Sequence, residues 1–133
     1  MKIEAIEGIG PVFAKKLRAK GVRSTGELLK HGASKKGRVL LADKTDISET
    51  LILEWVNLAD LMRIKGIGEE YSDLLEEAGV DTIKELRNRV PKNLYAKILE
   101  TNTQKKLVRR TPTLSMVEDW VKQAKSIAPA VTY

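Results

Sequence analysis

A chain of 133 residues with 42% hydrophobic and 32% charged side chains fits one globular domain, or two small ones sharing a core. No Cys and a single His exclude disulfides, thiolate metal centres and histidine metal clusters. A net charge of +6 favours polyanions, and with no long apolar run or N-terminal signal core the expectation is a cytoplasmic protein with no membrane role.

Residues 1–5 are too few for a helix of several turns. Pro11 follows Gly10 at a first helical position, where its missing N–H costs nothing. Val12, Phe13, Ala14 and Leu17 predict a helix that stops at Gly21 in a left-handed cap. Ser24-Thr25-Gly26-Glu27 fits a capping box, and the short helix it opens ends near His31-Gly32, with His31 serving the C-terminus. Residues 34–43 predict a brief helix with Val39, Leu40 and Leu41 inward. Residues 46–48 are a cap region. A longer helix follows over about 48–62, where Leu51, Trp55, Leu58 and Met62 form one apolar stripe.

Ile64-Lys65-Gly66-Ile67-Gly68 comes next, then Tyr71, Leu74, Leu75 and Ala78 as far as Gly79. Thr82-Ile83-Lys84-Glu85 is a second capping box. Pro91 starts a helix through Leu94, Tyr95, Ile98 and Leu99. Residues 101–111 are polar and basic and predict a loop or weak turn. Thr113 caps a last helix, about 113–127, with Met116, Val117, Trp120, Val121 and Ala124 on its apolar stripe. Trp55 and Trp120 belong to the core. No segment alternates with period two for long enough to make a sheet, so the fold class is all-α.

Ile6-Glu7-Gly8-Ile9-Gly10 precedes its counterpart by 58 positions, and residues 6–31 align with 64–89 without a gap. The paired identities are Ile6/Ile64, Gly8/Gly66, Ile9/Ile67, Gly10/Gly68, Leu17/Leu75, Gly21/Gly79, Val22/Val80, Glu27/Glu85 and Leu28/Leu86. Such register is a duplication. Two glycines around one isoleucine make a tight connection whose apolar residue plugs the core, while N–H groups at the following helix start point outward as an anion site. Helix, Gly-Ile-Gly, helix resembles the helix-hairpin-helix motif, which mostly grips nucleic-acid phosphate.

Charge separates the copies. Residues 7–23 carry Lys15, Lys16, Arg18, Lys20 and Arg23 against Glu7, a net of +4. Residues 65–81 carry Lys65 against Glu69, Glu70, Asp73, Glu76, Glu77 and Asp81, a net of −5. Cations drive phosphate binding, so the first loop is the better candidate. Glu69 and Glu70 already stand where a phosphate would sit in the second. The candidate contact set is Gly8, Ile9, Gly10, Lys15 and Lys16, with Lys35, Lys36 and Arg38 at the start of the third helix and Lys105, Lys106, Arg109 and Arg110 in the basic stretch. Gly66, Ile67 and Gly68 form the second loop. The carboxylates of residues 69–77 read as a solvated surface or a face for a basic partner, and no metal site is expected. No nucleophile arrangement and no Walker-type loop is present, so neither catalysis nor a cofactor is expected.

Several longer stretches carry a further resemblance: Leu-Glu-Trp-Val-Asn-Leu-Ala-Asp-Leu at 53–61, Lys-Leu-Val-Arg-Arg at 106–110, Val-Glu-Asp-Trp-Val at 117–121 and the closing Val-Thr-Tyr. With the two Gly-Ile-Gly segments, they resemble the bacterial family catalogued as domain of unknown function 4332, similar to tandem helix-hairpin-helix proteins. The arrangement is also similar to the SAM-like N-terminal domain of recombinases and to the C-terminal domain of the RNA polymerase alpha subunit, which bind DNA and proteins. The duplication predicts a single compact domain over 1–133, with repeat 1 at about 3–63 and repeat 2 at about 64–128 around one pseudo-twofold core. Glu54-Trp55-Val56 aligns with Asp119-Trp120-Val121 if the second copy carries seven extra residues, so the last helix is expected to fold back on the first loop and supply its missing leading helix. The expected function is non-catalytic, weak and sequence-independent binding of duplex DNA. The alternative is a protein-interaction or assembly module that docks through the acidic second hairpin.

Overall fold

The computed structural model describes residues 1–133, and its regular elements are helices. The helices are α1 (Pro11–Ala19), α2 (Thr25–Gly32), α3 (Lys35–Thr45), α4 (Glu49–Leu61), α5 (Glu69–Glu77), α6 (Ile83–Arg87), α7 (Pro91–Lys105) and α8 (Leu114–Ser126). A 3-10 turn at Ile3–Ala5 precedes them, and an isolated antiparallel bridge joins Lys2 to Ser24. The chain divides into two compact units, Met1–Asp60 with Pro129–Tyr133, and Leu61–Ala128.

Local signals set the helix ends. Ser24 accepts the Glu27 N–H at 3.1 Å, Thr82 the Glu85 N–H at 3.0 Å and Thr113 the Met116 N–H at 3.2 Å, so each expected cap forms. Gly21 and Gly79 take left-handed torsions at the ends of α1 and α5 (φ 84° and 96°). Val22 and Val80 then fold back, donating to the carbonyls of Leu17 and Leu75.

Three sequence expectations are corrected. On α3 the buried stripe is Arg38, Leu41 and Thr45, at helical spacing, which turns Val39 (40% exposed) and Leu40 (53%) outward. Residues 101–105 are not loop but the last turns of α7. Thr101 and Thr103 satisfy their hydroxyls on the carbonyls four residues back, at 2.7 and 2.9 Å, so their polarity does not interrupt the helix. The helix stops at Lys106 in a left-handed conformation (φ 51°), where Asn102 brackets the Val108 backbone through both its amide atoms. The third correction concerns α8. It packs on α6 and α7, and Val117, Trp120, Val121 and Ala124 join Leu61, Ile64, Ile67, Leu74, Leu75 and Val80 in the core of the second unit. It therefore closes its own unit and is not a lead into the first loop. A single 3-10 turn serves there instead.

Candidate nucleic-acid interface

Each unit presents one Gly-Ile-Gly loop, and the two have closely similar backbone geometry. In the first unit, Ile6 and Ile9 donate to the carbonyls three residues back at 3.1 and 3.2 Å, and Ile3, Ile6 and Ile9 are all buried. In the second, Ile64 and Ile67 make the same bonds at 3.1 Å each, burying Leu61, Ile64 and Ile67. The central isoleucine plugs the core, as expected. Its N–H is used within the turn, so Ile9 offers no backbone donor to a ligand.

A tryptophan explains the first glycine of each loop. Gly8 has φ +94°, and a Cβ there would lie 3.3 Å from Trp55 Nε1. Gly66 has φ +100°, and its Cβ would lie 2.9 Å from Trp120 Nε1. Only glycine meets both conditions without strain. The indoles are steadied by tilted aromatic partners, Phe13 at 5.1 Å from Trp55 and Tyr71 at 5.3 Å from Trp120.

The second glycine differs in kind. Gly10 (φ −82°) and Gly68 (φ −115°) are extended N-caps of α1 and α5, and a Cβ on either would meet nothing within 4 Å. Neither torsion demands glycine. What the glycines leave is open space before a helix N-terminus. There Gly10, Val12 and Phe13 carry N–H groups without an intrahelical carbonyl, and Pro11 has none to satisfy.

The surroundings then diverge. Beside the first loop, Glu4, Ile9, Pro11, Ala14, Lys15 and Arg18 line an open depression of about 510 Å³. Lys15 is exposed and Lys16 half-buried. Arg18 donates to Glu4 through both terminal guanidinium nitrogens, Nη2 to Oε1 at 2.6 Å. That hydrogen bonding holds the Glu4 carboxyl below its ordinary value and raises the Arg18 guanidinium. This pair, with partners fourteen residues apart, has no periodic signal in the sequence. The second loop is clamped instead: Gln123 Oε1 accepts the Lys65 N–H at 2.9 Å while Nε2 donates to the Lys65 carbonyl at 3.0 Å. Glu69 and Glu70 stand exposed in the first turn of α5.

The remaining expected contact residues scatter. Lys35 is exposed and pairs with Glu49 at 3.0 Å, and Lys36 is exposed beside it. Arg38 is a correction: it is 2% exposed, and its guanidinium donates to the carbonyls of Gly32 and Ala33 at 3.0 Å each and of Thr132 at 2.7 Å. The first two are C-terminal carbonyls of α2, which attract a buried cation without needing a carboxylate. Arg38 is thus structural and not a surface contact. In the second unit Lys105 pairs with Glu77, Lys106 caps α7, and Arg109 and Arg110 are exposed, with Tyr71 donating to the Arg110 carbonyl at 3.0 Å. Carboxylate oxygens of Asp73, Glu76 and Glu77 lie within 4.8 Å of one another, but the Lys105 ammonium already sits against Glu77.

No curated protein and no solved structure matches the chain. Residues 7–127 match the family described as Domain of unknown function (DUF4332), so the chain belongs to that family.

Proposed function

We propose that the two units are helix-hairpin-helix elements related by duplication, and that the chain is a non-catalytic module that holds the backbone of duplex DNA without reading its sequence. The first loop carries the contact. A phosphate oxygen sits in the space before Gly10 and accepts from the free N–H groups at the start of α1, while Lys15 and Lys16 supply cationic charge. The observation that carries this reading is the contrast between two loops of the same backbone shape. One has a net charge of +4 around an open N-terminus, and the other has −5 with two carboxylates at that position. Aromatic residues for stacking bases do not line the loop, which favours duplex over single strand.

A titration of random duplex DNA at several salt concentrations tests the proposal. Binding should be weak, with Kd of roughly micromolar or poorer and a steep salt dependence. Replacing Lys15 and Lys16 by Ala should flatten the log–log slope by about one unit for each lysine that neutralises a phosphate. Unchanged slope and affinity in the double variant would remove both lysines from the interface.

The second reading is a protein-interaction module, favoured by the exposed Glu69 and Glu70 on the second loop. It predicts no DNA binding at any salt and association with a basic partner that is weakened by Glu69→Lys with Glu70→Lys.

A further inference from the structure

We infer that the first unit contains a groove for an extended peptide of the type Val-x-Tyr, filled here in cis by the chain's own residues 129–133. This goes beyond the DNA reading and does not depend on it. The segment has no helix of its own, yet polar bonds secure it along its length. Ala130 donates its N–H to Asp60 Oδ2 at 3.2 Å, Thr132 donates to the Ala33 carbonyl at 2.8 Å, and the Thr132 carbonyl accepts from Arg38 Nη2. Between those anchors Val131 is buried. Tyr133 is 70% exposed and is held at the rim, where its hydroxyl donates to Asn57 Oδ1 at 3.0 Å and its ring lies 5.8 Å from the Arg38 guanidinium carbon. Backbone bonds at residues 130 and 132 with an inward side chain at 131 repeat with the period of an extended strand.

The groove's polar groups are held by more than their occupant. Arg38 is fixed through Nη1 to the last carbonyls of α2, and Asn57 and Asp60 lie three apart on one face of α4. Nη2 is then left to read a peptide carbonyl, and the buried Nε beside it has no hydrogen-bond partner. All three hydrogen bonds of Arg38 go to main-chain carbonyls, two within α2 and its cap and one in the extended segment. The Ala33 carbonyl supplies the matching acceptor. Recognition therefore rests on main-chain groups, one aliphatic side chain and one aromatic hydroxyl.

The test uses the full chain with its own segment unseated by Val131→Asp and Tyr133→Ala, and a labelled synthetic peptide of residues 127–133. In fluorescence anisotropy the peptide should bind the double variant at least about tenfold more tightly than the parent chain, whose own segment competes at high effective concentration. A peptide carrying Val131→Asp should bind at least about tenfold more weakly, because it loses a buried aliphatic anchor. A folded double variant that takes up no peptide overturns the inference, as does equal binding by parent and variant. Loss of folding in the double variant, read by circular dichroism, overturns it too, because a groove must persist without its occupant.

Discussion

Gly8 and Gly66 take nearly the same left-handed torsion over the indoles of Trp55 and Trp120, while the helices that follow them carry opposite charge. In the aligned sequences Lys15 corresponds to Asp73, Arg18 to Glu76 and Arg23 to Asp81. The shared part is fixed by burial: three apolar side chains in a turn, a glycine with positive φ and a tryptophan beneath it. The differing part faces solvent, where a reversal of sign leaves the backbone unchanged. The two loops therefore differ in charge and not in backbone shape, and the proposed difference in binding rests on that contrast.

The largest effects should fall on what the loops share. Trp55→Ala and Trp120→Ala should each cost on the order of 3–5 kcal/mol by chemical denaturation, since both side chains are almost fully buried. A much smaller loss in one would show that the two loops are not supported alike. Next, Gly8→Ala and Gly66→Ala should each cost about 1–2 kcal/mol for the left-handed torsion alone. Gly66→Ala should be the worse, because its Cβ falls 2.9 Å from an indole nitrogen against 3.3 Å at Gly8. The reverse order in thermal melts would contradict the packing described.

A smaller effect separates the units by pH. Arg18 holds the Glu4 carboxyl below its ordinary value, so the pair stabilises the first unit above the normal carboxylate range. That contribution is lost as pH falls through the lowered value. Met62 and Glu76 occupy the corresponding positions of the second unit, so this pair is not repeated there. In an NMR titration, Arg18→Ala should move the Glu4 midpoint upward toward the ordinary carboxylate value. An unmoved midpoint would assign the shift to the Glu4 backbone hydrogen bond instead.

Short-range chemistry made much of this legible from sequence. Ser24, Thr82 and Thr113 cap helices within three residues of themselves, Gly21 and Gly79 end them, and the tryptophan stripes mark core. The failures come from side-chain hydrogen bonds that leave no periodic signal, some local and some distant along the chain. Arg38 reads as a surface cation until the α2 carbonyls and Thr132 surround it, and its burial is what turns Val39 and Leu40 outward. Thr101 and Thr103 read as loop because their intrahelical hydroxyl bonds leave no compositional mark. The spacing of Trp120 relative to Trp55 relates α8 to α4 but does not say which unit α8 closes. Glu4–Arg18 and Gln123–Lys65 are single side-chain encounters with no pattern to find. The candidate site was legible as a charge contrast between two loops. The outward N–H groups followed from the motif, whereas the open space before Gly10 and the loss of the Ile9 N–H to the turn emerge only from the fold.

The central claim is that the first loop, and not the second, holds a phosphate, and the paired substitutions Gly10→Asp and Gly68→Asp test it most directly. Both sites have extended torsions and free space, and Asp is a good N-cap, so both variants should fold with stability equal to or slightly above the parent. The new carboxylate at residue 10 would take the N–H groups of Val12 or Phe13 and repel a phosphate. In a low-salt duplex titration the account predicts that Gly10→Asp abolishes binding while Gly68→Asp leaves it within about twofold, less than the roughly 1.4 kcal/mol of a tenfold change. Equal losses in the two variants, or binding by Gly10→Asp at the parent affinity, would contradict it.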